Sequence, residues 1–273
     1  MTRKQSLDER RPGSLHPGDQ QLGGDGPRRR WLSIVQSAYI PWRGYFDLIG
    51  LADVFVLYDV VAYSKNSWRN RNRILAQEGA QWLTIPVKTA GRFGAPIDSI
   101  EVADHRWALR HWKSIAGCYA RAPHFDTYHD LLRDLYEQAA AERLLSRINE
   151  LFLRRLAEVL GILTPIRRAD EFDLPDDRVL RLVAICEQAG ADAYLTGPAA
   201  RAYLSEAAFR ERGIMVNWMD YSGYRPYHQC WDHTFVPDVS VLDLLLNEGP
   251  DSRRWLKCAR RWDGSRAAPL RAE

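Results

Sequence analysis

The segment WLSIVQSAYIPWRGYFDLIGLADVFVLYD, residues 31–59, decides the fold. Residues 31–35 and 53–58 are apolar runs that predict strands, and the second has the unbroken apolar character of strands buried on both faces of a parallel sheet. Between them Pro41 marks a loop, and residues 45–49 then open a short helix. This strand–helix–strand order predicts a right-handed crossover unit.

Similar patterns continue through the rest of the chain. Further strands are predicted at residues 82–87, 164–166, 193–196 and 215–219. Helical periodicity covers residues 106–161 as a block and returns at residues 180–189, 201–213 and 239–247. We therefore expect an α/β domain over residues 31–256, with a mostly parallel, Rossmann-like sheet and a central helical insertion at about residues 106–161.

The two ends of the chain differ from this domain in composition. Residues 1–30 are rich in Gly, Pro, Asp, Arg and Gln and lack apolar periodicity. We expect them to be disordered, because such a segment buries too little surface to offset its ordering entropy. Residues 257–273 are basic and contain Ala and Pro, which predicts a flexible tail.

Composition narrows the class of protein. The 38 Lys and Arg against 35 Asp and Glu give a net charge of +3, which argues against wholesale nucleic-acid wrapping. The same charge counts against the weaker hypothesis that residues 65–73 and the Trp residues bind nucleic acid. The four Cys residues are far apart and form no CxxC pair, as is typical of reduced thiols in the cytoplasm. No apolar run approaches the roughly 20 residues that span a bilayer, and nothing at the N-terminus resembles a signal sequence. The sequence thus predicts a soluble cytoplasmic protein and leaves its oligomeric state open.

Three loops follow predicted strands and would meet at the carboxyl edge of the sheet, where open α/β sheets bind their ligands. The first begins at Gln36, the second at Asp59 and the third at Gly197. The candidate binding residues of the first and third loops are Gln36, Tyr39, Trp42, Tyr45, Gly197 and Tyr203. Three such loops at one edge indicate a site more strongly than any one of them.

The second loop leads into KNSWRNRNR, residues 65–73, which holds three Asn, three Arg, one Lys and one Trp. Guanidinium groups offer two-pronged donors to carboxylate or phosphate, and Asn supplies both a donor and an acceptor. The segment predicts a site for an anionic or sugar-like small molecule, although a solvated polar loop has the same composition. Its candidate residues are Lys65, Trp68, Arg69, Asn70, Arg71 and Asn72.

Asp59 and Gly197 each allow two interpretations. Asp59, at the exit of a buried strand, is a candidate base, metal ligand or hydroxyl acceptor, or else a cap or the ion-pair partner of a nearby Arg. The turn at Gly197 and Pro198, at a strand end before a predicted helix, could present backbone N–H groups to an anion. The two residues lack the spacing of a P-loop or a GxGxxG motif, however, and also fit a plain turn.

The C-terminal third supplies polar residues without a recognisable catalytic motif. His228, Cys230 and His233 form an H-x-C-x-x-H string, but no second pair with ligand spacing accompanies it, so no metal site is predicted. The chain also lacks a Walker motif and any Ser, Cys or His context typical of a catalytic triad.

Three further polar residues are candidates for ligand binding. Gln229 alternates with Tyr227 in an extended stretch, so both side chains point the same way. Asp243 and Asn247 are four residues apart and share one helix face. That face could line a site, or the pair could bond each other at the surface.

Four blocks of the chain, in order, resemble the WbqC-like protein family over about residues 32–256. The blocks are VQSAYIPWRGYFDLIGLADVFVLYD, KNSWRNRNRI with WLTIPVK, RLVAICEQAGADAYLTGPAARAYL, and YHQ followed by VSVLDLLLNEGP. The resemblance implies a bacterial protein, and many members are associated with the biosynthesis of O-antigen or other surface polysaccharides. Transfer of glycine or a similar acyl group to a sugar has been suggested for some of them.

The resemblance also implies a set of motif residues. These are Gln36, Pro41, Gly44, Tyr45, Asp59, Lys65, Trp68, Asn70, Arg71, Asn72, Gly197, Tyr203, Gln229, Asp243 and Asn247. Two positions depart from the family pattern: Ser37 stands where relatives tend to carry Pro, and Val60 stands where a second Asp is common. If such a pair of carboxylates held a metal, this chain would hold it less well.

Two functional hypotheses of different class follow. The first is a biosynthetic transferase or ATP-dependent ligase that moves an aminoacyl or acyl group to a sugar-type acceptor, with Asp59, Lys65 and Arg71 as catalytic residues. In this scheme Asp59 is the base, and Lys65, Arg69 and Arg71 hold a phosphate or carboxylate. The second is a non-catalytic, ligand-binding accessory protein of a biosynthetic pathway. ATP is a candidate cofactor because the first loop is loosely similar to the phosphate-binding entry of nucleotidyltransferases, but the chain lacks their HxGH motif.

Overall fold

The computed structural model describes residues 29–231 and 234–261 and contains a five-stranded parallel sheet. The described strands are β1 (Trp31–Val35), β2 (Val54–Leu57), β3 (Arg71–Ala76), β4 (Gly79–Thr84), β5 (Ile166–Arg168), β6 (Ala193–Thr196) and β7 (Met215–Trp218). Five of them form the sheet, and β3 and β4 pair separately. The predicted α/β class with a mostly parallel sheet is confirmed.

The strand order of the sheet is that of a Rossmann fold. Strands β5, β2, β1, β6 and β7 lie side by side in that order, and every neighbouring pair is parallel. Counted along the chain, the sheet strands are therefore third, second, first, fourth and fifth. The winding reverses between β1 and β6, where Leu32 lies opposite Tyr194. Sheets of this kind bind ligands beyond the carboxyl ends of the strands at this reversal.

Helices cover both faces of the sheet. The described α-helices are α1 (Arg43–Leu51), α2 (Trp107–Tyr119), α3 (Phe125–Ala141), α4 (Leu145–Val159), α5 (Arg178–Gln188), α6 (Glu206–Arg210) and α7 (Val241–Glu248). Short 3₁₀ helices lie at Ile97–Ser99, Ala169–Glu171, Pro198–Ala202, Gly249–Trp255 and Lys257–Arg261. Helices α2, α3 and α4 occupy the central insertion between β4 and β5. Within the described ranges, none of these helices has the length and apolarity needed to cross a membrane.

Strand β2 shows why this part of the sequence is apolar without interruption. Phe55 and Leu57 belong to the large core shared with α1, the helical insertion and α7. Val54 and Val56 belong to a second core under α5 and α6. Because successive side chains of a strand point to opposite faces, a strand between two cores needs apolar residues at every position.

The third predicted strand, residues 82–87, overlaps β4 only at residues 82–84 and does not join the five-stranded sheet. Strand β4 ends at Thr84 and pairs antiparallel with β3, so that Ala76 lies opposite Gly79. Residues 77 and 78 alone connect the two strands, which is too short for a parallel crossover and long enough for a hairpin. Gly79 has a φ of +111°, which most residues avoid. The predicted loop at residues 65–73 consequently ends inside β3.

Two further boundaries differ from the predictions. Residues 201–213 are not one helix, because Tyr203 has a φ of −141° and separates a 3₁₀ turn from α6. The flexible tail predicted from residue 257 begins instead with a 3₁₀ helix, in which Cys258 is 1% exposed and its N–H donates to the carboxylate of Asp47 at 2.8 Å. Burial and this hydrogen bond hold the segment against α1. The remaining tail residues, 262–273, lie outside the described ranges, as do residues 1–28 of the predicted disordered extension.

Gly50 of α1 is expected to tolerate no larger residue. A Cβ at this position would lie 2.5 Å from Sγ of Cys258 and 2.8 Å from its Cβ, so Gly50→Ala must displace the C-terminal 3₁₀ helix. We expect urea unfolding to show a loss of about 2 kcal/mol, and a thiol reagent to label Cys258 faster. Gly117→Ala in α2 is the control, because a Cβ there meets nothing within 4 Å. That variant should gain about 1 kcal/mol from helix propensity, and equal labelling of Cys258 in both variants would contradict the prediction.

Candidate functional site

Three predicted site residues meet at the carboxyl edge of the sheet. Gln36 follows β1, Asp59 follows β2, and Arg69 reaches them from the segment before β3. Nη1 of Arg69 donates to Oε1 of Gln36 at 2.9 Å. The charges of Arg69 and Asp59 also attract each other. The structure thus brings the first two loops together around a carboxylate and a guanidinium group.

The carboxylate of Asp59 is buried and held by Ser37. The backbone N–H of Ser37 donates to Oδ1 of Asp59 at 2.8 Å, and the Ser37 hydroxyl is a second donor. Burial raises the pKa of Asp59 from 3.8 to about 6; the bonds from Ser37 and the charge of Arg69 oppose this rise, and Asp98 adds to it. A carboxyl that titrates near neutral pH is suited to accept and return a proton.

Asp59 opens into a cavity of about 220 Å³ between the ends of β2 and β5. The charged residues that line it are Asp59, Asp98, Arg147, Glu150, Arg168 and Asp170. Glu150 pairs with Arg147 at 3.2 Å and with Arg168 at 3.6 Å. Burial, together with a neighbouring carboxylate, raises the pKa of Asp98. The cavity thus offers fixed donors and acceptors side by side, as a hydroxyl-bearing ligand requires.

Arg69 has a donor that no described residue uses. Its Nε is buried and has no hydrogen-bond partner within the described ranges. Burial also lowers the pKa of Arg69, and the nearby Tyr45 and Asp59 oppose this shift. A buried donor without a partner is costly unless a bound group completes it. Arg69 is therefore a candidate contact for an anionic or carbonyl oxygen, although it lies beside Asp59 and does not itself line the cavity.

Asn149 of α4 is a site residue that the sequence analysis missed. Its Nδ2 donates to Oγ of Ser37 at 3.0 Å and to the backbone oxygen of Arg69 at 2.9 Å, while its Oδ1 has no partner in the described chain. It therefore supports the residue that holds Asp59 and the backbone that carries the guanidinium group. The one available signal is a polar residue on the apolar face of a helix. The cavity residues Asp98, Arg147, Glu150, Arg168 and Asp170 were also missed.

Aromatic side chains join the first loop to the end of β6. The hydroxyl of Tyr45 donates to the backbone oxygen of Gln36 at 2.9 Å. The ring of Trp42 lies 5.2 Å from that of Tyr221. A Cβ on Gly197 would lie 3.5 Å from the Tyr221 hydroxyl, so the third loop passes close to this ring. Trp42, Tyr45 and Gly197 thus border the reversal point of the sheet.

Three other predicted site residues have internal partners. Tyr39 is fully buried, and its hydroxyl bonds two buried side chains, one of them Tyr136 at 2.6 Å. Asn70 donates to the backbone oxygen of Ile85 at 2.9 Å, and Asn72 donates to that of Tyr39 at 3.0 Å. The bond of Asn72 fastens the hairpin to the first loop, and the bond of Asn70 joins the two open ends of the hairpin. We assign the three side chains to the framework of the site and not to ligand contact.

A second internal network gathers the C-terminal candidates. Asp243 accepts hydrogen bonds from Tyr119 at 2.9 Å, from Tyr227 at 2.7 Å and from Gln229 at 2.7 Å. Asn247 donates to the backbone oxygen of Asp243 at 2.8 Å. Burial raises the pKa of Asp243, and the three donated bonds oppose the rise. The network joins α2, α7 and the segment before α7, and it too belongs to the framework.

Lys65, Trp68 and Arg71 do not line the cavity of Asp59. Trp68 and Arg71 border a different, open groove of about 320 Å³, and Lys65 is exposed beside it. The structure therefore gives no support to Lys65 and Arg71 as catalytic partners of Asp59. Tyr203 also lies at the surface, beneath a guanidinium group 3.9 Å from its ring centroid.

The structure offers no cluster that would hold a metal ion among residues 29–231 and 234–261, taken as groups of three His, Cys, Asp or Glu. In the H-x-C-x-x-H string, His233 lies outside these ranges. Burial raises the pKa of the Cys230 thiol to about 11, which disfavours the thiolate that zinc would require.

Fold and site together define the class: an α/β protein with a Rossmann-like sheet and a polar cavity at its carboxyl edge. A family model described as the WbqC-like protein family matches residues 36–255, and the chain belongs to this family. The chain is 42% identical over 229 residues to a protein of Mycobacterium tuberculosis (strain ATCC 25618 / H37Rv) named "Uncharacterized protein Rv1507c", covering 84% of this chain and 98% of that protein. No solved structure shows significant similarity. The family resemblance found in the sequence blocks is confirmed.

Proposed function

We propose that this protein is a biosynthetic transferase of the cytoplasm that moves an aminoacyl (glycine-like) or acyl group to a sugar-type acceptor, in the assembly of a surface polysaccharide or a secondary metabolite. The observation that carries the proposal is the state of Asp59. Its buried carboxyl has a pKa of about 6, is held by Ser37, and opens into a polar cavity at the edge of the sheet. What the family resemblance implies about acyl transfer to sugars agrees with a site built around a base.

In the proposed reaction, Asp59 removes a proton from the hydroxyl or amine of the acceptor as that group attacks the acyl carbon of the donor. A new C–O or C–N bond forms while the bond from the acyl carbon to the leaving group breaks. The proton then passes from Asp59 to the leaving group. At pH 7 Asp59 is mostly ionised, since its pKa is about 6, and is ready to act as the base.

Arg69 supplies the second requirement of acyl transfer. Negative charge develops on the acyl oxygen when the acceptor attacks, and fixed donors in a buried site stabilise it most effectively. The unused Nε of Arg69 is such a donor, and its guanidinium group is already oriented by Gln36. The side chains of Asp98 and Arg147 line the cavity of Asp59 and provide contacts for other hydroxyl groups of the acceptor.

A non-catalytic binding protein is the second candidate. The observation that favours it is the open groove at Trp68 and Arg71, which offers ligand contacts without a base. Incubation with ATP, glycine, acyl donors and nucleotide-sugars, followed by mass spectrometry, separates the two candidates. A transferase adds the mass of one aminoacyl or acyl residue to an acceptor, whereas a binding protein yields no new mass.

Arg69→Ala is expected to lower turnover in this assay by about a hundredfold, the usual effect of removing one donor to a developing oxyanion. Arg69→Lys should recover part of the activity, because it keeps the charge but loses the planar donors. Arg155→Ala is the matched control, since Arg155 lies on α4 in an exposed ion pair with Glu158. Full activity of Arg69→Ala, with folding of all three variants checked by thermal melting, would refute the role of Arg69.

A further inference from the structure

Two exposed tryptophans lie side by side, Trp82 in β4 and Trp68 in the segment just before β3. Trp68 is 46% exposed and Trp82 is 45% exposed, although large aromatic side chains are ordinarily buried. Their rings lie 5.4 Å apart at an interplanar angle of 35°. Each residue keeps about half of its surface open to solvent, so the pair offers a flat apolar surface of the kind on which planar ligands stack.

A guanidinium group without an anionic partner among the described residues adjoins this surface. Arg71 lies over Trp82, 4.3 Å from the ring centroid, and its Nε is buried with no hydrogen-bond partner in the described chain. Arg73, on the same strand, differs because it forms an ion pair with Asp238 at 2.7 Å. The charge of Arg71 is thus held in place by stacking, and its Nε donor has no partner among the described residues. This arrangement suits a phosphate or carboxylate.

The aromatic pair and the guanidinium group border one groove of about 320 Å³, which lies within the range of small-molecule sites. Its lining residues are Asn66, Trp68, Arg71, Arg73 and Trp82. The backbone of Asn66 is left-handed, with a φ of +56°, a conformation that Asn tolerates better than most residues. Lys65 precedes this turn, is exposed, and adds a second cation at the rim.

We propose that this groove binds a nucleoside phosphate, with the base stacked on Trp68 and Trp82 and the phosphate held by Arg71. A neutral sugar could stack on the indole rings, but it would leave the donor of Arg71 without an anion. A simple inorganic anion could satisfy Arg71, but it would leave the indole surfaces exposed. A planar base linked to a phosphate uses both features.

The lining also indicates how selective the groove is. Stacking is open to every base, because each base has a π-face. Asn66 is the one lining residue with a side-chain amide that could reach a base edge. The groove therefore recognises the class of nucleoside phosphates more strongly than it recognises one base. Its ligand is distinct from the reaction proposed for Asp59, so either proposal can fail without the other.

The test is calorimetric titration of the full-length protein with AMP, UMP, adenosine and ribose 5-phosphate. Both nucleotides should bind more tightly than either fragment, with affinities that fall as salt rises. Trp68→Ala should weaken the binding of AMP about tenfold, the size of one lost stacking contact. It should leave the affinity for ribose 5-phosphate unchanged. Arg71→Ala should weaken the binding of AMP and of ribose 5-phosphate alike by about tenfold. It should hardly change the binding of adenosine.

Two control variants keep this test specific. Phe93→Ala removes a fully exposed aromatic residue that does not line the groove. Arg225→Ala removes a different guanidinium group that stacks on a tryptophan, 5.3 Å from the ring centroid of Trp255. Both should bind AMP as the unaltered protein does. Equal affinity for AMP and adenosine would overturn the proposal, as would tighter binding of a neutral disaccharide or of a single-stranded oligonucleotide. Binding of AMP that survives both Trp68→Ala and Arg71→Ala would overturn it too.

Discussion

Asp59→Asn is expected to lower turnover by about 10²- to 10⁴-fold and, at pH 8, to make the protein more stable by up to about 3 kcal/mol. The loss of activity follows from the proposed reaction, in which Asp59 takes the proton from the acceptor. Removing a general base typically lowers the rate by about 10²- to 10⁴-fold. The gain in stability follows from burial, because the amide of the variant carries no charge into this position and can still accept the N–H of Ser37.

The gain in stability should depend on pH in a defined way. The folded-state pKa of about 6 lies above the ordinary value of 3.8, so the folded protein binds this proton more tightly than the unfolded chain does. The carboxyl therefore does not lower the free energy of unfolding below about pH 3.8. Its destabilising effect grows as the pH rises to about 6. The difference between the two pKa values corresponds to roughly 3 kcal/mol at higher pH. Asp59→Asn should remove this cost, and its advantage should vanish near pH 3.5.

Urea unfolding at pH 3.5, 5, 6 and 8 measures this profile. The control is Asp104→Asn, because hydrogen bonds from Arg106 and Arg110 lower the pKa of this exposed carboxyl to about 2. Asp104 contributes to stability with the opposite sign. Its stabilising effect is present above pH 3.8 and is lost as the pH falls towards 2. A decrease in stability of Asp59→Asn at pH 8, or a gain that does not change with pH, would contradict the conclusion that the buried carboxylate of Asp59 destabilises the folded protein.

Asp243→Ala is expected to have the largest effect on stability, a loss of about 3 kcal/mol or more. The substitution removes the shared acceptor of Tyr119, Tyr227 and Gln229. Three buried donors would then lack a partner, and each such group costs about 1–3 kcal/mol. Tyr119 also accepts the N–H of Leu75 in β3 at 3.0 Å, so the damage should extend to the hairpin.

Two milder variants test whether the network or the charge is important. Asp243→Asn keeps one acceptor oxygen and should lose less stability than Asp243→Ala. Tyr227→Phe removes a single donor and should cost about 1 kcal/mol. Unfolding in urea at pH 7 ranks the three variants. If Asp243→Ala kept its stability and lost affinity for a ligand, Asp243 would be a binding residue and not part of the framework.

The sequence predicted the parts of the site that are local. Asp59 follows a strand whose apolar run is unmistakable, and a parallel sheet places such a residue at its carboxyl edge. Gln36 was predicted on the same ground. Arg69 was predicted as one of several cations in a polar segment, and the sequence alone could not separate it from Arg71. The hairpin was missed because the pattern of residues 82–87 fits a strand of either direction.

The roles of the amide side chains could not be predicted in this way. Asn70 and Asn72 lie in the segment richest in ligand-binding residue types, yet their amides bond backbone carbonyls of other loops. Asn149 lies 112 residues from Ser37 in the chain, and nothing in its neighbourhood predicts that contact. A hydrogen bond of this kind depends on the packing of α4 against the sheet edge.

By itself, the sequence determined the family and the α/β class with a mostly parallel sheet, and it predicted the edge at which a ligand would bind. These follow from the period of apolar residues, since each strand or helix must turn its apolar side chains toward a core. Only the tertiary structure decided which polar residues face a cavity, which face one another and which stand at the surface. It separated the cavity of Asp59 from the groove of Trp68 and Arg71, because these two side chains pack on Trp82 of the hairpin. The pKa of Asp59 was decided there as well, since burial arises only when distant segments pack together.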